Sequence, residues 1–155
     1  MFVFGERSIG IRNQLHPVLQ EILDFAIKTS PYDFGLHDGH RSVERQYEYY
    51  QQGRTTPGNI VTWIDGVTKR GYHNYLPALA FDFHISSKGN TWDVERKEVD
   101  GDPAYMIEVA QHILKVARDE FGIDLVWGGD WRTPDYPHIQ LPQSYKKFAE
   151  SEGLF

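Results

Sequence analysis

The sequence predicts an α+β fold in which helices pack on one face of a small antiparallel sheet and a polar site lies on the other face. Apolar residues recur at helical spacing over residues 13–29 and 103–121, as in amphipathic helices with one buried side. Residues 79–85 instead alternate apolar and polar side chains, which is the pattern of a half-buried strand. A chain of 155 residues can bury one core. We therefore expect a single domain over residues 1–155.

Helices are predicted where an apolar stripe is bounded by capping or breaking residues. The predicted helices are 13–29, which ends before Ser30 and Pro31; 43–52, with Ser42 as N-cap and Gly53 at its end; 103–121, between Asp102 with Pro103 and Gly122; and a short final helix over 143–152. These segments account for most of the apolar residues outside the predicted sheet.

Short apolar segments between turn residues are predicted to form the sheet. They are residues 60–63, 79–85, 124–127 and 138–141. Residues 34–36 form a further short strand that leads into HDGHRS. Residues 86–102 are polar, so we expect a surface loop or hairpin there, with Asp100 and Asp102 as solvated charge rather than a calcium site.

Charge and composition argue against several classes of function. The net charge of −6 argues against binding to nucleic acid, because a surface that follows phosphates needs a basic excess. The chain has no cysteine, so any metal must be held by histidine and carboxylate. The N-terminus lacks the pattern of a secretory signal, and no apolar run is long enough to span a bilayer. We expect a monomer that is made in the cytoplasm and does not bind a membrane.

The stretch GYHNYLPALAFDFHI, residues 71–85, carries the first candidate site residues. Asp82 and His84 fall on the polar face of the predicted strand, and His73 lies in the loop before it. The opposite face of this strand is apolar, so Asp82 is partly removed from water. A carboxylate in that position needs a donor or a cation to compensate it.

A second pair of candidates lies near the C-terminus, where Asp135 and His138 stand three residues apart. Pro137 favours extended or polyproline geometry at the residue before it, which would bring both side chains to one side. Two imidazoles and one carboxylate are a typical catalytic zinc set, since three protein ligands leave one position for water. Spacing alone allows two sets, which are His73, Asp82 and His138, or Asp82, His84 and His138.

Three further polar residues lie near the junction between the strand at 34–36 and the next helix. Arg41 occupies the kind of position where a bidentate clamp for a carboxylate is found. His37 and His40 are interpreted as ordinary polar loop residues.

Several motifs resemble those of one known family. They are HPVL, HRSVERQ, QGRTTPGNIVT, GYHNYLPALAFD and VWGGDWRTPDYPHIQL, and together they cover most of the chain. The sequence is similar to the zinc D,D-carboxypeptidase and L-alanyl-D-glutamate endopeptidase family, which includes vancomycin-resistance dipeptidases and many bacteriophage endolysins. The match is closest to the endopeptidase branch of that family.

The resemblance implies a role for each candidate residue. One zinc ion per chain would be bound by His73, Asp82 and His138, with Asp135 as the general base. Arg41 matches the arginine that binds substrate and stabilises the oxyanion. The resemblance makes His84 a neighbour that shapes the pocket, and Tyr72 and Trp131 are expected to line the cleft as substrate-binding residues.

The sequence departs from the family pattern at two places. Gly71 stands where the family has serine, which removes a hydroxyl group. His73 and Asp82 are nine residues apart rather than seven, with Leu76 and Pro77 as the apparent insertion. We expect both ligands to converge while the loop between them follows a different path.

The implied function is that of a phage endolysin. A single catalytic domain without a separate wall-binding domain would cut the L-alanyl-D-glutamate bond of the peptidoglycan stem peptide. The protein would be made in the host cytoplasm and reach the cell wall once the membrane is permeabilised, causing host lysis. The alternatives are a D,D-carboxypeptidase or dipeptidase of bacterial wall remodelling, a wall-binding phage protein with weak catalysis, and a muramidase that uses Glu44 and Asp82.

Overall fold

The computed structural model describes residues 1–86 and 103–155. The helices of these residues are α1 (Glu6–Arg12), α2 (Pro17–Thr29), α3 (Val43–Gln51), α4 (Pro103–Phe121) and α5 (Gln143–Ser151). The strands are β1 (Phe34–Asp38), β2 (Ala80–Ile85), β3 (Val126–Trp127) and β4 (His138–Gln140), and they form one antiparallel sheet in the order β1-β2-β4-β3. The predicted α+β class is confirmed.

The core lies on one face of β2, as the alternation predicted. Phe81, Phe83 and Ile85 are fully buried, and they belong to one cluster with the apolar stripes of α2 and α4. Burying a side chain of this size contributes about 1.5–3 kcal/mol, so the cluster holds the helices to the sheet. The two polar residues of β2, Asp82 and His84, are only partly buried on the opposite face.

The predicted helix over residues 13–29 is wrong at its start. Helix α2 begins at Pro17, a residue that suits the first turn because it has no N–H to lose. His16 caps it by accepting the Val18 N–H at Nδ1, at 3.1 Å. Residues 13–16 connect α2 to the separate helix α1, which packs against β1, where Ser8 Oγ accepts the Leu36 N–H at 2.9 Å. Helix α1 was not predicted because it is short and contains a glycine.

Residues 60–63 are not a strand, contrary to the prediction. This segment lies beside α3. Arg54 donates to Thr62 O at 3.1 Å, and Gln46 donates at 2.9 Å to Ile64 O, which directly follows the segment. The edge of the sheet is formed instead by β1, which extends the predicted strand at 34–36 to residue 38. Strands β3 and β4 lie inside the predicted segments 124–127 and 138–141.

Most of the connection between β2 and α4 lies outside the described residues. The predicted loop or hairpin from residue 87 onward, the charges of Asp100 and Asp102, and the capping role of Asp102 fall there. Helix α4 does begin at Pro103, and Gly122 follows its last residue with a φ of 65°, as expected for a residue that ends a helix. No helix within the described ranges has the length and apolar character that a membrane span requires.

Candidate metal centre

Two adjacent strands and one loop bring three ligand-type side chains together. Asp82 on β2 lies directly opposite His138 on β4 in the antiparallel register, and a 3₁₀ turn at Tyr72–Asn74 carries His73 to the same place. In the described ranges these three residues form a His-Asp-His group. The alternative set that used His84 in place of His73 is not the one that the fold assembles.

The ligand atoms of this group have the spacing of a tetrahedral zinc site. His73 Nε2 lies 3.2 Å from His138 Nδ1 and 3.5 Å from Asp82 Oδ1, and His138 Nδ1 lies 3.3 Å from Asp82 Oδ1. Zinc binds histidine nitrogen and carboxylate oxygen at about 2.0–2.2 Å, so two ligands of a tetrahedral ion are about 3.3 Å apart. The triangle of ligand atoms therefore has the size that one zinc ion requires.

The outward nitrogen of each imidazole is bound to an acceptor. His73 Nδ1 lies 2.7 Å from the carbonyl oxygen of Gly39, and His138 Nε2 lies 2.8 Å from the side-chain oxygen of Gln140. When each outward nitrogen donates its hydrogen, the inward nitrogen keeps a lone pair that can bind a metal ion beside Asp82. Hydrogen bonds made by the outward nitrogen fix the orientation and the tautomer of a metal-binding histidine.

Electrostatics also favour a positive charge within the triangle. Burial by itself would raise the pKa of Asp82, but His73 and His138 outweigh burial and hold that pKa well below its ordinary value. Burial likewise acts to lower the pKa of His138, yet the hydrogen bond and charge of Asp82 raise it. A carboxylate kept ionised between two buried rings requires either a proton or a metal cation among them.

Arg41 reaches the same group from the junction between β1 and α3, where sequence analysis expected it. Its Nη2 lies 3.8 Å from Asp82 Oδ2 and donates to Asp38 Oδ2 at 2.6 Å. Its Nη1 donates to Gln46 Oε1 at 2.9 Å. The backbone is fixed too, because Arg41 N–H donates to His73 O at 2.8 Å. The guanidinium is thus held beside the three ligands in one orientation.

Asp135 approaches the group through a turn. Tyr136 and Pro137 lie in this turn, in which His138 N–H donates to Asp135 O at 3.3 Å, and the side chains of Asp135 and His138 interact electrostatically, as their spacing in the sequence predicted. Burial and the charge of Asp82 raise the pKa of Asp135 to about 6. A carboxylate with a pKa in that range can both take up and release a proton near neutral pH.

The three residues predicted to line the pocket, Trp131, Tyr72 and His84, each have different surroundings. The ring of Trp131 is 40% exposed and its centroid lies 5.1 Å from that of His138, so Trp131 lines the open side of the group. Tyr72 adjoins His73 in the chain, but Lys146 of α5 lies over its ring at 5.3 Å. His84 packs against the backbone of Gly35, where an added Cβ would be 2.7 Å from its ring.

The structure shows what surrounds the two departures from the family motif, which are Gly71 and the longer loop after His73. Among the described residues, a Cβ at Gly71 would meet Asn74 Oδ1 at 3.4 Å and Ile64 Cγ2 at 3.6 Å, which are ordinary contact distances, so there is room for the Cβ of a serine. The longer loop after His73 is anchored by the end of the chain, since Leu76 N–H donates to Leu154 O at 3.1 Å.

A buried tyrosine in this loop makes a second contact with the same end of the chain. The hydroxyl of Tyr75 donates to Glu150 Oε1 at 2.6 Å. Its ring is fully buried and lies edge-on to Phe155, with centroids 6.3 Å apart. The last helix and the residues after it therefore support the loop that carries His73.

Three polar residues that were not predicted from the sequence hold the group in place. Gln140 orients His138, Asp38 binds Arg41, and Gln46 joins Arg41 to residues 62–64 while it is only 2% exposed. A usable signal existed for Gln140 alone: it stands two residues after His138 on a strand, so the two side chains point to the same face.

Comparisons with known proteins agree with this fold and site, and they define the chain as a peptidase. A family model described as phage L-alanyl-D-glutamate peptidase matches residues 1–141. The chain belongs to this family, which confirms the resemblance found in the motifs. The muramidase alternative is set aside because the family consists of peptidases.

Two relatives carry the same activity in their names. The peptidoglycan L-alanyl-D-glutamate endopeptidase CwlK of Bacillus subtilis (strain 168) is 36% identical over 142 residues, which cover 87% of this chain and 78% of CwlK. The crystal structure of the L-Ala D-Glu endopeptidase ChiX of Serratia marcescens is similar with a TM-score of 0.68 at 26% sequence identity. That similarity covers 92% of this chain and 93% of ChiX.

Proposed function

We propose that this chain is a zinc-dependent peptidoglycan endopeptidase that cleaves the bond between L-alanine and D-glutamate in the stem peptide. The spacing of the three ligand atoms supports the metal, because it equals that of a tetrahedral zinc site. The family and the names of both relatives support the bond.

In this proposal His73, Asp82 and His138 hold one zinc ion and leave one position open. When bound, zinc polarises a carbonyl group and lowers the pKa of water toward neutrality. His73 and His138 are kept in the required tautomer by Gly39 and Gln140. The chain therefore supplies an oriented, open site of the kind that hydrolytic metalloenzymes use.

Asp135 acts as the general base and then as the general acid. Its carboxylate takes a proton from the water that attacks the carbonyl carbon of L-alanine. It then gives this proton to the nitrogen of D-glutamate as the C–N bond breaks. The elevated pKa of Asp135, about 6 as burial and the charge of Asp82 set it, suits both transfers near neutral pH.

Arg41 stabilises the negative charge that develops on the carbonyl oxygen or binds a carboxylate of the substrate. Its planar guanidinium is held by Asp38 and Gln46 beside the ligand triangle. A positive group that is already fixed in position does not reorganise during the reaction, and such preorganisation lowers the barrier. Trp131 is assigned to the binding of the stem peptide because its exposed ring lies beside His138. Tyr72 next to His73 and His84 on the polar face of β2 are assigned to shaping the pocket around the ligands.

The biological role proposed is that of a phage endolysin that acts on the cell wall during host lysis. The family name supports a phage origin. The protein is expected to meet its substrate after the host membrane has been permeabilised.

Mass spectrometry of fragments released from purified peptidoglycan tests the proposal, with and without a zinc chelator. We expect two products, which are fragments with a free D-glutamate amine and glycan strands that keep L-alanine. Both products should be lost with chelator and recovered when zinc is added. Release of D-alanine would instead indicate a D,D-carboxypeptidase. Binding without any release would indicate a wall-binding protein, and cleavage that persists in chelator would overturn the assignment of zinc.

A further inference from the structure

A group of stacked aromatic and cationic side chains lies on the surface beside α3. We call Tyr47, Tyr50, Arg54 and Trp63 the aromatic platform. The rings of Tyr47 and Tyr50 are stacked with centroids 6.3 Å apart, and the guanidinium of Arg54 lies 3.9 Å from the Tyr50 ring and 5.2 Å from the Trp63 ring. Trp63 is 75% exposed and Tyr47 is 43% exposed. Large aromatic rings clustered on a surface are typical of a binding site.

The platform is held in place rather than loosely attached. Arg54 Nη1 donates to Tyr50 O at 2.5 Å and its Nη2 donates to Thr62 O at 3.1 Å. The same guanidinium therefore joins the end of α3 to the segment that carries Trp63. Segments that are joined before binding lose less conformational entropy when a ligand contacts them.

One buried residue connects the platform with the candidate metal centre. Gln46 Oε1 accepts from Arg41 Nη1 at 2.9 Å, and Gln46 Nε2 donates to Ile64 O at 2.9 Å. Ile64 follows Trp63 directly in the chain. Two hydrogen bonds thus separate the guanidinium beside Asp82 from the backbone next to Trp63, so the platform lies on the side of the metal centre where Arg41 is held.

The chemistry of the substrate requires a sugar close to the bond that is cut. This step rests on the proposed function. In peptidoglycan the amine of L-alanine is bound to the lactyl group of a muramyl sugar. The scissile carbonyl is therefore separated from the sugar by only L-alanine and the lactyl group, which span about 7 Å if each is counted as one extended residue.

We propose that the aromatic platform is a subsite for the muramyl sugar of the glycan strand, with Trp63 as its main contact. A sugar ring has a face of C–H groups that can lie flat on an indole ring, while its polar groups remain in water. The exposed face of Trp63 offers such a surface on the Arg41 side of the metal centre. The subsite would favour stem peptides that are still attached to glycan over free peptides.

Kinetics with two substrates test this proposal. One is a muramyl stem peptide, and the other is the same peptide with an acetyl group in place of the muramyl group. For Trp63→Ala we expect KM for the muramyl peptide to rise about five- to tenfold with little change in kcat, because the contact is made equally in the ground and transition states. KM for the acetyl peptide should not change.

Two further variants serve as controls. Trp63→Tyr keeps an aromatic ring and should recover most of the preference for the muramyl peptide. Val67→Ala changes a side chain of the same segment that is 65% exposed but carries no ring, and it should behave like the wild type on both substrates. Equal KM changes of Trp63→Ala on both substrates, or none, would overturn the sugar subsite.

If the wild type cleaves neither substrate, this result contradicts the proposed function. It does not contradict the sugar subsite. Fluorescence anisotropy with a labelled muramyl disaccharide then decides the question. Binding that Trp63→Ala weakens would support the platform, whereas absence of binding to the wild type would refute it.

Discussion

His73 and His138 each direct one ring nitrogen toward Asp82 because the other nitrogen already has a partner. For His73 this partner is a backbone carbonyl, which mutation of a side chain cannot remove. For His138 it is the side chain of Gln140, at 2.8 Å. The orientation of His138 can therefore be tested by mutation of its partner, whereas that of His73 cannot.

We predict that Gln140→Ala weakens zinc binding about 10- to 100-fold, which is the usual effect of losing a contact that orients a metal-binding histidine. Competition with a chromophoric chelator measures the affinity without relying on activity. Gln143→Ala is the matched control, because it removes the same amide from an exposed position at the start of α5. Equal affinities for the two variants would show that Gln140 does not orient His138.

Asp135 is the second residue whose role depends on its surroundings. We predict that Asp135→Ala lowers kcat about 10²–10⁴-fold, the range for loss of a general base. The variant should fold and bind zinc as the wild type does, since the three ligands remain. Turnover is measured by release of amino groups from purified peptidoglycan, and zinc content is measured in the same samples. A variant with unchanged turnover would remove Asp135 from the mechanism.

At the scale of elements, close backbone approach positions Asp135. The 3₁₀ turn Gly128–Asp130 follows β3 and packs against the segment before β4, where Asp135 N–H donates to Gly128 O at 2.8 Å. A Cβ at Gly128 would lie 2.5 Å from the carbonyl oxygen of Asp135. Only glycine allows the two segments to come this close.

We predict that Gly128→Ala destabilises the protein by about 1–3 kcal/mol, the usual cost of forcing extra atoms into a packed site. It should also lower kcat, because Asp135 would be displaced. Urea unfolding measures the change in stability. The control is Gly10→Ala in α1, where an added Cβ meets nothing within 4 Å and helix propensity favours alanine by up to about 1 kcal/mol. Loss of stability in both variants alike would contradict the steric explanation.

At the scale of the whole molecule, the metal centre joins parts that are distant in the chain. His73 and His138 are 65 residues apart, and they come from a loop and from the strand next to β2. A ligand that binds only the folded arrangement stabilises the fold by a free energy that grows with the logarithm of its concentration divided by Kd. Zinc should therefore act as a cross-link among β2, β4 and the loop before β2.

We predict that removal of zinc lowers Tm by about 5–11 °C when the reference sample contains free zinc at 100 times Kd. Binding at that concentration contributes about 2.7 kcal/mol, and each kcal/mol shifts Tm by about 2–4 °C for a chain of this size. Differential scanning calorimetry with and without chelator checks this. In His138→Ala the Tm should no longer depend on zinc, and a dependence that persists in this variant would point to a different binding site.

Prediction from the sequence was correct where a feature depends on a local pattern of residues. The alternation in β2, the apolar stripe of α4 and the cap at Ser42 were all correct, since each depends on neighbours within a few residues. It failed for α1 and for residues 60–63. Helix α1 is too short for a clear period. Residues 60–63 are largely apolar, but the carbonyl of Thr62 accepts from the side chain of Arg54 rather than from a neighbouring strand.

The sequence by itself determined which side chains were available for the site: a carboxylate on the polar face of a strand, histidines on both sides of it, and no cysteine. Tertiary structure decided which of these meet. The pairing of β2 with β4 places His138 opposite Asp82, and the 3₁₀ turn brings in His73 while His84 stays beside Gly35. The physical reason is that spacing along the chain reports only the face of an element, whereas the distance between ligand atoms depends on strand pairing and loop anchoring.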